Sequence, residues 1–368
     1  MDFSPKGEKA LKYNDYRRQS REVSVGDVKV GGNNRISIQS MTNTDTHDVE
    51  ATYRQVRALE EAGCDIIRIT APDLDSVSTF RELKSRGVKA PLVADIHFDY
   101  KIALAVADAG VDKIRINPGN IGDKDKIRQV VEACRERSIP IRIGVNSGSL
   151  EKNILAKYGS PTAEALAESA LYHASLLREM DFSDILISVK SSDVMTMIRA
   201  NRILAEKTDY PLHLGVTEAG ARTRALVKSS IGVGTLLAEG IGDTLRISLT
   251  DDPVEEIAAA RAILDSLSLS ECGCMDIVSC PTCGRTKIDL IRLLSEFEDR
   301  VKIEGLDRKN IKVALMGCVV NGPGEAREAD IGIAGGKGEA LLFKKGEIIR
   351  KIDENHLIDE LISEIRKM

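Results

Sequence analysis

The sequence of 368 residues contains no tryptophan, and phenylalanine and tyrosine together contribute only 4% aromatic residues. Proteins that bind single-stranded nucleic acid stack the bases on aromatic side chains. The net charge of −5 also does not favour nucleic acid over the surface as a whole. The sequence therefore argues against nucleic-acid binding, and any anionic ligand must be held by a local cluster of basic residues.

Long apolar runs are also missing. No stretch approaches the roughly 20 apolar residues of a membrane helix. Residues 1–23 contain no apolar stretch of signal-peptide length, and their acidic residues are not typical of a transit peptide. We expect a cytoplasmic protein that does not enter a membrane. In such a reducing compartment the seven cysteines are expected to be metal ligands or buried thiols, not disulfides.

A unit of one short apolar strand and one amphipathic helix repeats from Arg35 onward and predicts a (β/α)8 TIM barrel. A doubly wound open sheet is the alternative, because the repeat by itself does not show closure. Upstream, "EVSVGDVKVGG" alternates apolar and polar residues around Gly26 and Asp27, which predicts a hairpin that covers the bottom of the barrel. The predicted barrel strands are 36–41, 65–70, 91–95, 112–117, 141–146, 184–190, 211–218 and 243–249.

The character of the sequence changes after Leu269, where the last barrel helix ends. The remaining segment has glycine-flanked cysteines and then patterns for a helix, two strands, a hairpin and a final helix. This succession predicts a small α+β domain. We therefore predict two domains: a substrate-binding barrel with its N-terminal hairpin over 1–269, and a metal-binding α+β domain over 270–368.

Five basic residues lie in or close to the last positions of strands that are otherwise apolar: Arg68, Arg115, Arg142, Lys190 and Arg246. A buried cation is costly unless an anion meets it. Each base could pair with an interior carboxylate, and Asp65, Asp95 and Glu218 are available for this. The carboxyl ends of the strands, however, form the active-site face of a barrel. Five bases at one depth therefore favour a site for a multiply charged anion such as a diphosphate.

Polar side chains accompany these bases at the same strand ends. Side chains of this kind bind a polyol or hydrogen-bond to loop backbones. Glu218 is the best candidate for an acid, because it follows the seventh strand inside the ring of bases. The set consists of Asp95, His97, Asn117, Asn146, Glu218 and Ser248.

Cys280 and Cys283 form the motif "CPTCG", which is usually half of a zinc site. The complementary pair is missing downstream, where Cys318 stands alone and Glu325 follows seven residues later. Three thiolates and a carboxylate suit an iron–sulfur cluster better than structural zinc. Sulfur ligands favour iron–sulfur chemistry, and a harder oxygen ligand is exchangeable.

Zinc remains the alternative at this point, because Cys272 and Cys274 in "ECGC" could complete a four-sulfur set. Two further classes of protein would then fit the sequence. One is a non-redox, pterin-type transferase barrel with a structural zinc domain, and the other is a zinc-ribbon adaptor with a degenerate barrel.

Six motifs resemble those of the 4-hydroxy-3-methylbut-2-en-1-yl diphosphate synthases, the flavodoxin- or ferredoxin-dependent enzymes of the non-mevalonate isoprenoid pathway. The resemblance runs from about Arg35 to Gly335 and is to the short, two-domain bacterial form. The two cluster motifs together are highly specific. The motifs are "IRINPGN", "RIGVNSGSL", "SVKSSD", "GVTEAG", "SCPTCGRT" and "GCVVNGPGEA".

This resemblance implies a 4Fe–4S cluster held by Cys280, Cys283, Cys318 and Glu325. It implies the substrate 2-C-methyl-D-erythritol 2,4-cyclodiphosphate, whose ring is opened by two electrons with loss of water. The electron donor is flavodoxin or ferredoxin, and a head-to-tail homodimer shares its active sites between subunits. Cys272 and Cys274 have no role in the family.

The resemblance also assigns the barrel residues. Arg68, Arg115, Arg142 and Lys190 fall where the family grips the diphosphate. Glu218, our candidate catalytic acid, falls with four further residues where the family lines the pocket, and Asn321 falls beside the cluster. The four pocket residues are Asp95, Asn117, Asn146 and Ser248.

Overall fold

The computed structural model describes residues 13–270, 275–319 and 326–368. The chain divides into two compact units, with the boundary between Leu269 and Ser270. No helix within these described ranges is both long and apolar enough to cross a membrane.

The first unit contains a hairpin and eight parallel strands. The hairpin is β1 (Val23–Val25) and β2 (Val28–Val30). The eight strands are β3 (Ser37–Met41), β4 (Ile66–Thr70), β5 (Leu92–Asp95), β6 (Lys113–Ile116), β7 (Ile141–Asn146), β8 (Ile185–Lys190), β9 (His213–Leu214) and β10 (Thr244–Leu245).

The sheet is closed. Its strand order is β8-β7-β6-β5-β4-β3-β10-β9, and a parallel bridge joins Ile187 of β8 to Leu212, the residue directly before β9. The TIM-barrel prediction is therefore confirmed, and the open-sheet alternative is wrong. The last two strands are shorter than predicted. Gly215 approaches the main-chain carbonyl of Arg246 so closely that a Cβ would lie 2.6 Å from the oxygen.

Helices follow the barrel strands and pack around the outside of the sheet. Acidic side chains cap the first turns of several of these helices: Asp48 accepts from Ala51 N, and Asp193 accepts from Thr196 N. Gly63 has a left-handed φ of +82°, which suits the turn after the first barrel helix. The helices are α1 (Tyr13–Tyr16), α2 (Val49–Glu61), α3 (Val77–Ser85), α4 (Tyr100–Asp108), α5 (Pro118–Ile121), α6 (Lys124–Glu136), α7 (Lys152–Tyr158), α8 (Ala163–Glu179), α9 (Val194–Lys207), α10 (Arg222–Ala238) and α11 (Pro253–Ser266).

The hairpin covers the bottom of the barrel, as predicted. Its three buried valines Val23, Val25 and Val30 form one apolar cluster with residues of three barrel strands. These are Ile66 and Val93 near the starts of β4 and β5, and Leu186 near the start of β8. This apolar contact covers the amino ends of these strands, and the active-site face of a barrel lies at the carboxyl ends.

Within its described residues, the second unit has one five-stranded sheet covered by two helices, which matches the predicted α+β pattern. Strands β11 (Asp276–Ser279), β12 (Lys312–Met316) and β13 (Ile331–Gly335) are parallel, and the hairpin β14 (Glu339–Lys344) and β15 (Glu347–Asp353) completes the sheet antiparallel to them. Helices α12 (Leu290–Ile303) and α13 (Leu357–Arg366) bury Phe297 and Leu361 in the same core as Ile333.

Candidate active site

The register of the barrel sheet brings the predicted charged residues together. Asp95 on β5 lies opposite Arg115 on β6, and Arg115 lies opposite Arg142 on β7. Arg68 on β4 lies one strand further round, opposite Met41 on β3. Since alternate residues of a strand point to the same face, this register concentrates the cations inside the barrel. The prediction that all five bases lie at one depth is wrong, because Lys190 is the last residue of β8 whereas Arg142 is only the second residue of β7.

Asp95 is the main anion of this cluster and is only 2% exposed. Its Oδ1 accepts a hydrogen bond from Arg115 Nη1 at 3.1 Å, and its Oδ2 lies 3.8 Å from Arg68 Nε and 3.9 Å from His97 Nε2. Burial alone raises the pKa of Asp95, but the charges of Arg68 and Arg115 outweigh it and lower the pKa to about 2. Burial lowers the pKa of Arg68 to about 10.

Three of the five predicted bases have a carboxylate partner: Arg68 and Arg115 share Asp95, and Arg246 has a partner of its own. Arg246 pairs with Glu256 of α11, a residue that the sequence analysis did not consider, at 3.0 Å between Nη2 and Oε1. Glu256 is 2% exposed and also accepts a hydrogen bond from Ser40 Oγ. Asp65, one of the carboxylates weighed as a partner, instead pairs with Arg35.

Arg142 and Lys190 have no carboxylate partner among the described residues. Arg142 is 1% exposed; its Nη1 donates to Gln39 Oε1 at 3.2 Å, and its Nε is buried without a partner. Burial, followed by the charges of Arg68 and Arg115, holds the pKa of Arg142 well below its ordinary value. Burial and the charge of Arg246 do the same for Lys190. Both side chains therefore favour a bound anion.

Sequence reasoning missed two buried residues of the barrel interior. Lys113 on β6 is fully buried, and its Nζ lies 3.5 Å from Gln39 Oε1. It precedes Arg115 by two positions, and this spacing on a strand is the signal that could have placed both on one face. His213 on β9 is also fully buried, and its Nε2 has no partner.

The cluster is rich in basic groups and poor in acidic ones. Among the described residues, its six basic side chains contact only two carboxylates, and burial lowers the pKa of Lys113 as it does those of Arg142 and Lys190. An interior of this kind is unlike the packed Val, Ile and Leu layers of ordinary barrels. The cations are Arg68, Lys113, Arg115, Arg142, Lys190 and Arg246, and the carboxylates are Asp95 and Glu256.

Asp95→Asn is expected to lower the free energy of unfolding at neutral pH by about 3–5 kcal/mol, because it leaves Arg68 and Arg115 without their buried counter-charge. The pKa of Asp95 is depressed, so the stability it contributes is complete above the unfolded value of 3.8 and is lost as pH falls through about 2. Urea unfolding of both proteins at several pH values measures this. If the difference in unfolding free energy between wild type and Asp95→Asn grew as the pH fell, Asp95 would not have the depressed pKa described here.

The predicted polar residues all follow strand ends at this face. Asn117 is 3% exposed and caps α5, where its Oδ1 accepts from Gly119 N at 3.1 Å. Asn146 is the last residue of β7. Ser248 Oγ accepts from Arg246 Nη1 at 3.2 Å. The loop ends around the cation cluster therefore carry neutral hydrogen-bonding groups.

Glu218 follows β9 and is exposed to solvent. Its φ is +52°, a left-handed conformation that is uncommon for residues other than glycine. Strained backbone of this kind is concentrated at active sites, where the surrounding structure holds a side chain in a particular direction. Glu218 therefore does not neutralise the buried cations, and its carboxylate is available to a ligand at the barrel mouth.

In the second unit, the parallel pairing of β11 and β12 brings two of the predicted cysteines to one sheet edge. Cys280 directly follows β11, and Cys318 follows β12 by two residues. Cys280 Sγ accepts a hydrogen bond from Gly317 N at 3.3 Å. Cys283 lies in the exposed turn after Cys280.

These residues fit an iron–sulfur cluster in their chemistry. All five described cysteines are free thiols, and a main-chain N–H directed at sulfur is one of the features that tune such clusters. No three His, Cys, Asp or Glu side chains within the described ranges are grouped so as to hold a metal ion. The predicted residues Asn321 and Glu325, with Cys272 and Cys274, lie outside those ranges.

A closed barrel with buried basic side chains in its interior, followed by an α+β unit that carries cysteines after two of its strands, defines a two-domain TIM-barrel enzyme. Residues 20–261 match the GcpE TIM-barrel domain, and residues 276–367 match the GcpE protein C-terminal domain. The chain belongs to the GcpE family, and the resemblance seen in the motifs is confirmed.

Its relatives cover nearly the whole chain. A protein of Clostridium perfringens is 60% identical over 346 residues, which are 94% of this chain and 98% of that protein. Relatives from Clostridium acetobutylicum and Fusobacterium nucleatum are 57% and 56% identical and span 96% and 94% of this chain and 99% and 96% of their own lengths. All three are named 4-hydroxy-3-methylbut-2-en-1-yl diphosphate synthase (flavodoxin).

Proposed function

We propose that this protein reductively opens the ring of 2-C-methyl-D-erythritol 2,4-cyclodiphosphate and removes water to give 4-hydroxy-3-methylbut-2-enyl diphosphate, in the non-mevalonate isoprenoid pathway. The observation that carries this proposal is the set of six basic side chains in the barrel interior, which contact only two carboxylates among the described residues and which a cyclic diphosphate would help to neutralise. The relatives' name specifies a diphosphate product and flavodoxin, and it does not favour the pterin-type transferase with structural zinc.

In this proposal the first unit binds the substrate. Arg68, Arg115, Arg142 and Lys190 hold the diphosphate through charge-assisted hydrogen bonds, which are about twice as strong as neutral ones. Arg142 and Lys190 contribute most, because neither has a carboxylate partner within the described residues. Asp95 orients the other two from below the ligand.

The carbon skeleton would lie against the neutral side chains at the strand ends. Asn117, Asn146 and Ser248 offer hydrogen-bonding groups for its hydroxyls, and Asn321 would approach it from the cluster motif. Glu218 is proposed as the catalytic residue. It is exposed just after β9, and a carboxyl group at this position can hold or deliver a proton.

The second unit would hold a 4Fe–4S cluster through Cys280, Cys283, Cys318 and Glu325. When bound, the cluster supplies the two electrons of the reaction, received from flavodoxin or ferredoxin. The thiolates are soft ligands that hold iron firmly, whereas the carboxylate of Glu325 is exchangeable. The Gly317 N–H stabilises the charge on Cys280 Sγ. We further propose a cytoplasmic homodimer in which each active site is shared between subunits.

The iron and acid-labile sulfide content of the anaerobically purified full chain tests this function, together with turnover of the cyclodiphosphate by reduced flavodoxin. We expect about four irons and four sulfides per chain, as a 4Fe–4S cluster requires. A protein that contains stoichiometric zinc and no sulfide would contradict the proposal and favour a non-redox barrel.

Substitutions at Arg142 and Glu218 are expected to separate binding from chemistry. Arg142→Met should weaken substrate binding by about 1.5–3 kcal/mol, the contribution of a hydrogen bond to a charged group. Glu218→Gln should lower kcat while the substrate still binds, as expected for a group that acts in the transition state. Calorimetric binding and steady-state kinetics measure the two effects.

Arg128→Met is the matched control, because Arg128 is exposed on α6 and pairs only with Asp125 among the described residues. It should change neither binding nor kcat. An equal loss of binding in the Arg142 and Glu218 variants would contradict the division of roles.

A further inference from the structure

Gln39 occupies the centre of the buried cation cluster. It lies on β3 and is 1% exposed. Its Oε1 accepts hydrogen bonds from Arg142 Nη1 at 3.2 Å and from Lys113 Nζ at 3.5 Å. Its Nε2 is buried without a partner. Two buried basic groups therefore contact a neutral amide at a position where a carboxylate would have neutralised charge.

The carboxylates of the described interior do not fill this role. Asp95 is engaged by Arg115 and Arg68, and Glu256 by Arg246. The only acceptor described for Lys113 Nζ is the Gln39 amide.

Uncompensated buried cations are unfavourable because they have lost their hydration without gaining an ionic partner. The empty barrel is consequently less stable than one that contains an anion at this level. A hydrocarbon side chain at position 39 would leave the same charge excess but would not hold Arg142 in a fixed direction, since a long side chain otherwise retains its rotamer freedom.

We propose that Gln39 sets the charge balance of the barrel: by withholding a carboxylate, it leaves Arg142 without an internal counter-charge and so reserves Arg142 for the diphosphate group of the ligand. Gln39 is thus a positioning residue that acts through Arg142 and does not touch the reacting atoms. The inference rests on the proposed anion site and adds the reason why that site attracts an anion. It predicts the sign of two effects. One added negative charge at position 39 should stabilise the ligand-free protein and lower its affinity for the ligand.

The test compares Gln39→Glu with its uncharged control, Gln39→Met, in the anaerobically purified full chain. Pyrophosphate is the probe, and its affinity is measured by isothermal titration calorimetry at fixed salt. Thermal unfolding without ligand gives the second readout. In Gln39→Glu we expect a higher melting temperature and a loss of affinity of at least about tenfold, because the internal carboxylate competes with the ligand. In Gln39→Met we expect a lower melting temperature and an affinity within about threefold of wild type, because charge dominates binding.

Different results separate this inference from the proposed function. Wild-type protein that does not bind pyrophosphate would overturn the anion site itself and this inference with it. Wild-type binding with unchanged affinity in Gln39→Glu would overturn only the charge-setting role. An equal loss of pyrophosphate affinity in both variants would also overturn the charge-setting role, because Gln39 would then only pack against Arg142. Gln39→Glu that is less stable than wild type, or does not fold, would also contradict the proposal.

Discussion

Replacing Cys280, Cys283 or Cys318 with serine is expected to abolish both the visible iron–sulfur absorption and turnover, the largest effect of any single substitution in the second unit. A hard alcohol then replaces a soft thiolate, and the remaining donors do not hold a complete cluster. Iron and sulfide analysis, absorption spectra and flavodoxin-dependent turnover measure the loss. Glu325→Gln should damage assembly less, or favour a three-iron form, because three thiolates still hold three irons.

The double variant Cys272→Ser with Cys274→Ser is the matched control, since it removes two thiols from the same unit. It should keep the wild-type spectrum. Bleaching of this double variant would show that the ligand set is wrong and would restore the four-sulfur zinc interpretation. Circular dichroism of each variant distinguishes loss of the cluster from loss of the fold.

The position of the cysteines explains why the sequence was informative here. Cys280 and Cys318 follow two apolar strands, β11 and β12, and the parallel pairing of those strands brings both thiols to one edge. The placement of both thiols at one edge therefore follows from the order of the strands. The donation from Gly317 N to Cys280 Sγ could not be predicted, because it depends on how the loop after β12 passes β11.

In the barrel, too, some features could be predicted from the sequence and others could not. Eight strands and the hairpin could be predicted because apolar strands and amphipathic helices have distinct periods. Closure could not, since it depends on the pairing of the first barrel strand with the last, where Ser37 of β3 lies opposite Thr244 of β10, 207 positions away (244 − 37 = 207). The hairpin position followed from the apolar alternation around Gly26, whose φ of +54° requires a residue that tolerates left-handed backbone.

Charge partners were the least predictable part of the candidate site. Asp95 was correctly considered as a partner, and it meets Arg68 and Arg115. Glu256 was missed because its contact with Arg246 depends on where the first turn of α11 lies over the strand end. Gln39 is one of three polar residues in β3, and it becomes informative only when the fold places its side chain against Arg142. The roles of Asn321 and Glu325 stay predictions.

A mixture of two inactive variants is expected to regain activity if each active site is shared between subunits. Helix α11 begins at Pro253, after β10, and its 14 residues run back over about 20 Å toward the opposite end of the barrel. From Leu269 to Cys280 the chain can span at most about 39 Å, and β11 takes up part of this segment. This short connection favours a two-fold dimer in which each cluster unit completes the partner's barrel.

Glu218→Ala chains have an intact cluster motif, and Cys318→Ser chains have an intact barrel. In an equal mixture about half of the dimers contain one chain of each kind, and each of these has one complete site. We therefore expect about one quarter of wild-type activity. Each variant refolded or exchanged with itself is the control and should stay inactive. Two different affinity tags, purified in sequence, isolate the mixed dimers. If these dimers are isolated and still show no turnover, each chain completes its own active site and the shared-site proposal is wrong.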